Sequence, residues 1–213
     1  MTLRSFCFTL LLLSTIHRSG HSQNYFEGKI IYKLDVKTKD PGLDPAKLKA
    51  YFGQEVTLVF KDGNCYYSFK DGPHDFWLYN KADNKSYLSK RGTDTIYWID
   101  CSAGGNRIQK LRLTGIKETI LGIDCNEMLI QYSEITTTRY FNSDSIPVNP
   151  AWFKNYKRDD EYLIDEKQKS IFLKSETEFE KFIVIETAVK ISWEPVNEKI
   201  FKLPENAILV EEK

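Results

Sequence analysis

Apolar and polar residues alternate with a period of two through most of this chain, and the alternation breaks wherever Gly, Asp, Asn or Pro cluster. Period two sends successive side chains to opposite faces of an extended strand. On that pattern strands are predicted over residues 25–36, 56–61, 65–70, 75–80, 86–90, 95–101, 108–113, 118–121, 126–133, 136–142, 168–175 and 182–193. Asp62-Gly63-Asn64 between two strands is a hairpin signal, because Asp-Gly supplies the positive φ angles of a tight turn. Asp71-Gly72-Pro73 ends the next strand. Two short helices are predicted. In the first, Asp44 caps, Pro45 takes the first helical position and Gly53 closes the far end. In the second, Asn149 caps and Pro150 leads residues 150–156. The first helix is the candidate to cover one face of the sheet.

Three segments depart from clean alternation. Phe76-Trp77-Leu78-Tyr79, Ile96-Tyr97-Trp98-Ile99 and Phe182-Ile183-Val184-Ile185 are apolar on both faces. A sheet covered on one side only shows polar residues at every second position, so these segments predict burial on both. The second face either packs on the protein's own side chains or lines a groove. Trp77, Tyr79, Tyr97, Trp98, Phe182 and Val184 are the candidate wall residues. Alternation alone leaves open which of them point inward.

The first 22 residues follow a different pattern. Arg4 supplies a positive start, an apolar run extends from Phe6 to Ile16, and Gly20-His21-Ser22 places small residues before Gln23. This is the layout of an export signal, with an apolar run too short for a bilayer about 30 Å thick. The expected organisation is a signal peptide over 1–22 and one β-rich domain over 23–213. The expected location is the periplasm or cell envelope, or the medium if the protein is secreted. The leader holds Arg4 and Arg18 and no acid, so the remainder carries 28 Lys and Arg (30 less two) against 30 Asp and Glu. A net charge of −2 gives no electrostatic footprint for nucleic acid.

Candidate chemistry is sparse. Of three histidines, His17 and His21 lie in the leader and only His74 remains, in what reads as a surface turn. No Gly-x-Ser-x-Gly elbow supplies a nucleophile, and one histidine cannot build a multi-histidine metal site. No catalytic residue, metal ligand or cofactor is expected. Asp159, Asp160 and Glu161 lack calcium-loop spacing, and the mixed-sign run 157–161 reads as a solvated loop. Gly104-Gly105 is a bare glycine pair with no helix behind it. Asn84-Lys85-Ser86 fits the glycosylation sequon, in a chain whose leader looks bacterial. Cys65, Cys101 and Cys125 follow the leader, and export favours one disulfide plus one free thiol. Three pairings exist. Cys101–Cys125 is the favoured one, since each lies beside a Gly-containing loop, and it would contribute roughly 3 kcal/mol. Cys65, in a strand pattern, is expected to be a buried inert thiol.

Several short motifs together resemble a family. Phe26-Glu27-Gly28-Lys29-Ile30-Ile31-Tyr32 is similar to the opening strand of exported bacterial proteins related to the LolA/LolB lipoprotein carriers, GLPGLI-type proteins among them. Residues 118–126 resemble their Leu-Gly-Tyr-x-Cys segment, with Ile123 where an aromatic is usual. Tyr140-Phe141 with residues 145–150, and the closing Phe201-Lys202-Leu203-Pro204, resemble later segments of the same family. The GLPG signature itself is absent. The resemblance implies a strongly curved antiparallel sheet, a half-open barrel, with helices across its concave side. It implies no catalytic residues, and a concavity that takes lipid acyl chains. The expectation is a non-enzymatic envelope protein binding a lipid or lipoprotein acyl chain. The alternative is an envelope protein-protein interaction module with a filled barrel.

Overall fold

The computed structural model describes residues 25–133 and 136–212. The segment read as a signal peptide, 1–22, lies outside the described residues. Twelve strands form one sheet: β1 (Gly28–Thr38), β2 (Glu55–Lys61), β3 (Asn64–Phe69), β4 (His74–Asn80), β5 (Lys85–Lys90), β6 (Thr95–Asp100), β7 (Lys110–Ile120), β8 (Ile123–Ser133), β9 (Thr136–Pro147), β10 (Ser170–Glu178), β11 (Phe182–Trp193) and β12 (Ile208–Glu211). Their order is β12-β6-β5-β4-β3-β2-β1-β11-β10-β9-β8-β7, and β12 and β7 do not pair, so the sheet is open. Every pairing is antiparallel except β12 with β6. The predicted curved half-barrel is the observed fold.

The turn chemistry works as the sequence implies. Asp62 and Gly63 both take positive φ, 51° and 84°, and join β2 to β3. A Cβ on Gly63 would stand 2.6 Å from the Trp152 Cβ, so only glycine lets this turn close on the 150s segment. Register breaks in the β1–β11, β4–β5, β7–β8 and β9–β10 pairs mark bulges, which strengthen twist and bend the sheet. One of them merges the two strands predicted over 108–121 into β7, with Gly115 at φ 85° inside it. β12 lay outside the expected strands.

The first predicted helix forms as α1 (Pro45–Phe52): the Asp44 carboxylate accepts from the Ala46 N–H at 2.8 Å, and the Gly53 N–H bonds back to Lys49. Yet α1 buries none of its residues. It rests at the rim of the sheet, where Phe52 meets Phe182 with ring centroids 5.7 Å apart. The second predicted helix shrinks to a 3₁₀ turn, Pro150–Phe153, capped by Asn149. The second α-helix lies instead at α2 (Glu161–Gln168), beginning inside the run read as a solvated loop. That reading is corrected: Asp160, Ile164 and Gln168 are buried.

The two-sided strands have two distinct coverings. On the concave face Phe26, Ile30, Tyr32, Leu58, Phe60, Tyr79, Phe141 and Leu173 form the main core. On the opposite face Val59, Leu78, Tyr87 and Ile96 pack under Val196 and Phe201 of the C-terminal segment. Both faces of β2 and β4 are therefore interior.

Two connections cross the open side. Residues 101–109 pass from β6 to β7, at the far end of the sheet. Residues 148–169 leave β9 and return to its neighbour β10, carrying the 3₁₀ turn and α2. Cys101 O takes the N–H groups of Lys157 (2.7 Å) and Arg158 (3.0 Å), which ties the two connections together.

The expected Cys101–Cys125 disulfide does not form. The three cysteines among the described residues, Cys65, Cys101 and Cys125, are free. Cys101 follows β6 and Cys125 lies in β8, and eight strands separate those two in the sheet order. Each thiol faces the carbonyl two residues back, Ile99 at 3.8 Å and Ile123 at 3.5 Å. Burial pushes the Cys65 thiol well above its usual range, consistent with an unreactive side chain.

Candidate functional site

A cavity of about 230 Å³ lies between the concave face and the 148–169 connection. The sheet contributes Leu58 and Phe60 from β2, Cys65 and Tyr67 from β3, Trp77 from β4, Tyr140 from β9 and Phe172 from β10. The crossing segment contributes Phe153 and Tyr156, and α2 presents Glu161, Ile164, Asp165 and Gln168. These positions recur at i, i+3, i+4 and i+7, one face of a helix. That face carries two carboxyls, an amide and a single isoleucine into an aromatic chamber.

α2 is held from its N-terminal side. Asp160 takes a left-handed backbone and offers no cap, but its carboxylate accepts from the Ile108 N–H at 2.9 Å and from the Arg107 guanidinium. Burial raises the Asp160 carboxyl, and these two donors outweigh it and hold the group below the usual carboxylate range. The glycine pair finds its role here. The Asp159 carboxylate accepts from the Asn106 N–H, and a Cβ on Gly105 would stand 2.3 Å from that carboxylate. Further along, Ile164 packs with Met128 and Ile130 of β8. The floor of the crossing segment is held by Tyr79, whose ring stacks on Tyr156 at 4.5 Å and on Phe153 at 6.0 Å. The Tyr79 hydroxyl donates to Asn84 Oδ1 at 2.9 Å, and Asn84 Nδ2 donates to Asn155 O at 3.0 Å. The sequon asparagine thus has a structural task.

The electrostatics of the cavity are one-sided. Glu161 and Asp165 line it, and no Lys, Arg or His does. Among the described residues neither carboxyl joins an ion pair, and Asp165 Oδ2 is shielded from solvent with no hydrogen-bond partner. Desolvation, reinforced by Asp159, pushes the Glu161 carboxyl up to about 7. Desolvation and the charge of Glu161 raise Asp165 well above the usual carboxylate range. Elsewhere Glu127 has a basic partner in Arg139 at 3.3 Å, and Glu118 has one in Lys174 at 2.8 Å.

The six candidate wall residues divide. Trp77 lines the cavity, and Tyr79 backs it through Tyr156 and Phe153. Tyr97 shares their face, opposite Leu88, but lies outside the cavity, with the Lys90 ammonium 4.5 Å from its ring centre. Trp98 belongs to the opposite face, packed with Tyr87 and Ile96, and carries the Lys85 ammonium 3.6 Å from its ring centre. Phe182 and Val184 pair with Thr38 and Val36 toward the rim near α1. Tyr67 and Tyr140 were missed, although both sit in strand patterns with the right parity. The α2 residues carried no sequence signal, because their placement depends on contacts with Arg107 and Ile108 some fifty residues away.

His74 opens β4 rather than standing in a turn. It is half-buried, its ring centre 6.3 Å from that of Phe69, and its Nδ1 is shielded without a partner. The neighbouring Asp75 pairs with Arg91 at 3.5 Å. Among the described residues no group of three or more His, Cys, Asp or Glu converges on a metal position. No described helix is long and apolar enough to cross a membrane.

No family model matches the sequence, and no curated protein matches it. Solved structures do share its shape. PNGF-II aligns at TM-score 0.50 and 10% identity over 88% of this chain, which spans only 31% of that chain's length. An uncharacterized conserved protein from Thermus thermophilus aligns at TM-score 0.46 and 10% identity, over 85% of this chain and 90% of the other. A LolA superfamily protein from Nitrosomonas europaea aligns at TM-score 0.38 and 10% identity, over 83% and 90%. The superfamily that the sequence motifs resemble is therefore among the structural neighbours. At such identities the likeness concerns the fold alone, and what this chain does rests on its own cavity.

Proposed function

We propose that this protein is a non-enzymatic, exported binding protein whose concave face takes an apolar ligand, a lipid or acyl-chain segment, in the cavity under α2. The observation that carries this reading is the unfilled chamber itself. Native interiors pack to high density with few voids larger than a water molecule, and 230 Å³ exceeds a 150 Å³ apolar cavity able to hold benzene. Its wall of Phe60, Tyr67, Trp77, Tyr140 and Phe172 supplies apolar area, and the sequence resemblance implies the same use of the concave side. The volume falls below the ~300–1,000 Å³ typical of drug-sized ligands. A short segment fits as the structure stands, and a longer one requires α2 to move outward. The test is mass spectrometry of organic extracts from the natively purified protein, with titration of neutral apolar probes read by tryptophan fluorescence. A co-purifying apolar compound, or probe binding lost at least tenfold in the cavity-filling variant Cys65→Leu, supports the reading. Empty extracts together with no probe binding overturn it.

A second reading has its own observation. The edge strands of the open sheet expose Leu113 and Ile116 on β7 and Ile208, Leu209 and Val210 on β12. Apolar edge strands are sites of strand addition unless protected. On this reading the edges receive an envelope protein. Crosslinking in envelope extracts tests it: a stable partner lost in Leu209→Lys supports it, and unchanged crosslinking overturns it.

A further inference from the structure

We propose that the occupant of the cavity is a compact organic cation, an amine or quaternary ammonium on an apolar body, held between the aromatic walls and the Glu161 and Asp165 carboxyls. This rests on reading the cavity as a ligand site and adds the chemical class of the ligand. Three independent features converge on it. The first is sign: the cavity wall includes two acids and no base, so an anionic head group entering it finds no counter-charge. The second is an unmet valence. Asp165 lines the cavity and its Oδ2 is shielded from solvent with no donor, whereas a shielded polar atom normally has a partner in the protein. A cationic ligand supplies the missing counter-charge. The third is the wall. Tyr67, Trp77, Tyr140 and Tyr156 line it from β3, β4, β9 and the crossing segment, and aromatic side chains gathered around one space recognise quaternary and alkylated ammonium groups.

The arrangement is not a by-product of helix packing. A helix laid on an apolar core normally turns an apolar stripe inward, and α2 turns Glu161, Asp165 and Gln168 inward while Leu163 faces out. Glu161 and Asp165 are i, i+4 neighbours of like charge, a mildly unfavourable pair on any helix and a costlier one away from water. Without a cation the pair holds protons to higher pH than ordinary carboxyls do, since desolvation raises both groups. The other titratable groups around them are Cys65 and Tyr67 of β3, Tyr79 of β4, Tyr132 of β8, Tyr140 of β9, and Tyr156 and Asp159 of the crossing segment. None is basic. A cation entering the cavity therefore displaces a carboxyl proton to the solvent rather than competing with a resident lysine or arginine.

The experiment compares two probes of one shape, phenyltrimethylammonium and its neutral isostere tert-butylbenzene, by titration of the full-length protein at pH 8. The proposal expects the cation to bind at least tenfold more tightly. It expects Asp165→Asn and, separately, Glu161→Gln to shrink that preference at least fivefold while leaving the neutral probe unaffected. It also expects cation binding at pH 6.5 to release protons, seen as a binding heat that varies with the ionisation enthalpy of the buffer. Equal affinity for the two probes in the wild type overturns the proposal and leaves the apolar-ligand reading standing. A preference retained in both variants overturns the role given to these carboxyls. Binding of neither probe overturns the proposal, and together with empty extracts it also overturns the reading it rests on. The wild-type comparison requires no variant to fold.

Discussion

α1 and α2 are equal in length, eight residues each, and opposite in almost everything else. α1 has every local signal: a capping aspartate that makes its bond, a proline at the first position and a closing glycine. It buries nothing. α2 has no side-chain cap, starts from two left-handed residues, Asp159 and Asp160, and carries polar groups on its inner face. It buries Ile164 and Gln168 and lines the cavity. Capping groups satisfy the free N–H groups at a helix start, and that requirement can be met at a distance. In α2 the Glu161 and Tyr162 N–H groups bond to Arg158 O and Tyr156 O, and the loop 104–108 fixes the turn before them by donating to the Asp159 and Asp160 carboxylates. Local chemistry determines where a short helix can stand alone, and tertiary contacts hold one where function places it.

The sharpest way to break this contrast is to remove the anchor of α2. Ile164→Ala should cost about 2–5 kcal/mol, the range for deleting a large buried aliphatic group, measured as a shift in the urea midpoint at constant m. The same truncation at Leu48 of the poorly buried α1 should fall far short of it. An equal loss at both sites would remove the distinction.

The next effect is pH dependence. Glu161 is raised to about 7 in the folded protein from an ordinary glutamate value. Between those two values the folded state holds more protons than the unfolded, so stability falls as pH rises. The slope is on the order of 1.4 kcal/mol per pH unit for one such group, and Asp165 acts in the same direction. Denaturation midpoints between pH 4.5 and 7.5 should show this decline, and Glu161→Gln with Asp165→Asn should flatten it. No site on α1 should alter it.

Gly105→Ala tests the loop that substitutes for a cap. Gly105 has φ 75°, and its new Cβ meets the Asp159 carboxylate. A cost of about 1–3 kcal/mol is expected, with faster hydrogen exchange in the amides of α2 and unchanged exchange in α1. Asp44→Ala is the mirror experiment. It should cost about 1 kcal/mol or less, fray α1 and leave probe binding in the cavity as it was. The smallest effect concerns the cysteines. With all three free, a reducing agent should leave the melting temperature unchanged, and a drop of several degrees would restore the bridge between Cys101 and Cys125.

The strand pattern was legible because period two and Asp-Gly turns are local. The pairing β2–β3 across Asp62-Gly63 needs no information from elsewhere. Two-sided burial of Phe76-Trp77-Leu78-Tyr79 was legible for the same reason, but the identity of each face was not. Trp77 meets the cavity and Leu78 meets Phe201 because the C-terminal segment folds over one side. The Cys101–Cys125 expectation failed because the connection after β6 runs to the opposite end of the sheet, and closeness in sequence says nothing about that step. α2 was read as a loop because its stabilising partners lie about fifty residues upstream.

By itself the sequence determined a β-rich chain, its hairpins and its α1 caps, all consequences of short-range periodicity and turn residues. Tertiary structure alone decided that a short acidic helix would cross the concave face, that Trp77 of β4 and not Trp98 of β6 would reach the cavity, and that two carboxyls would meet there without a base. Those outcomes depend on which distant segments come to share one space, and desolvation then sets the chemistry of the groups enclosed.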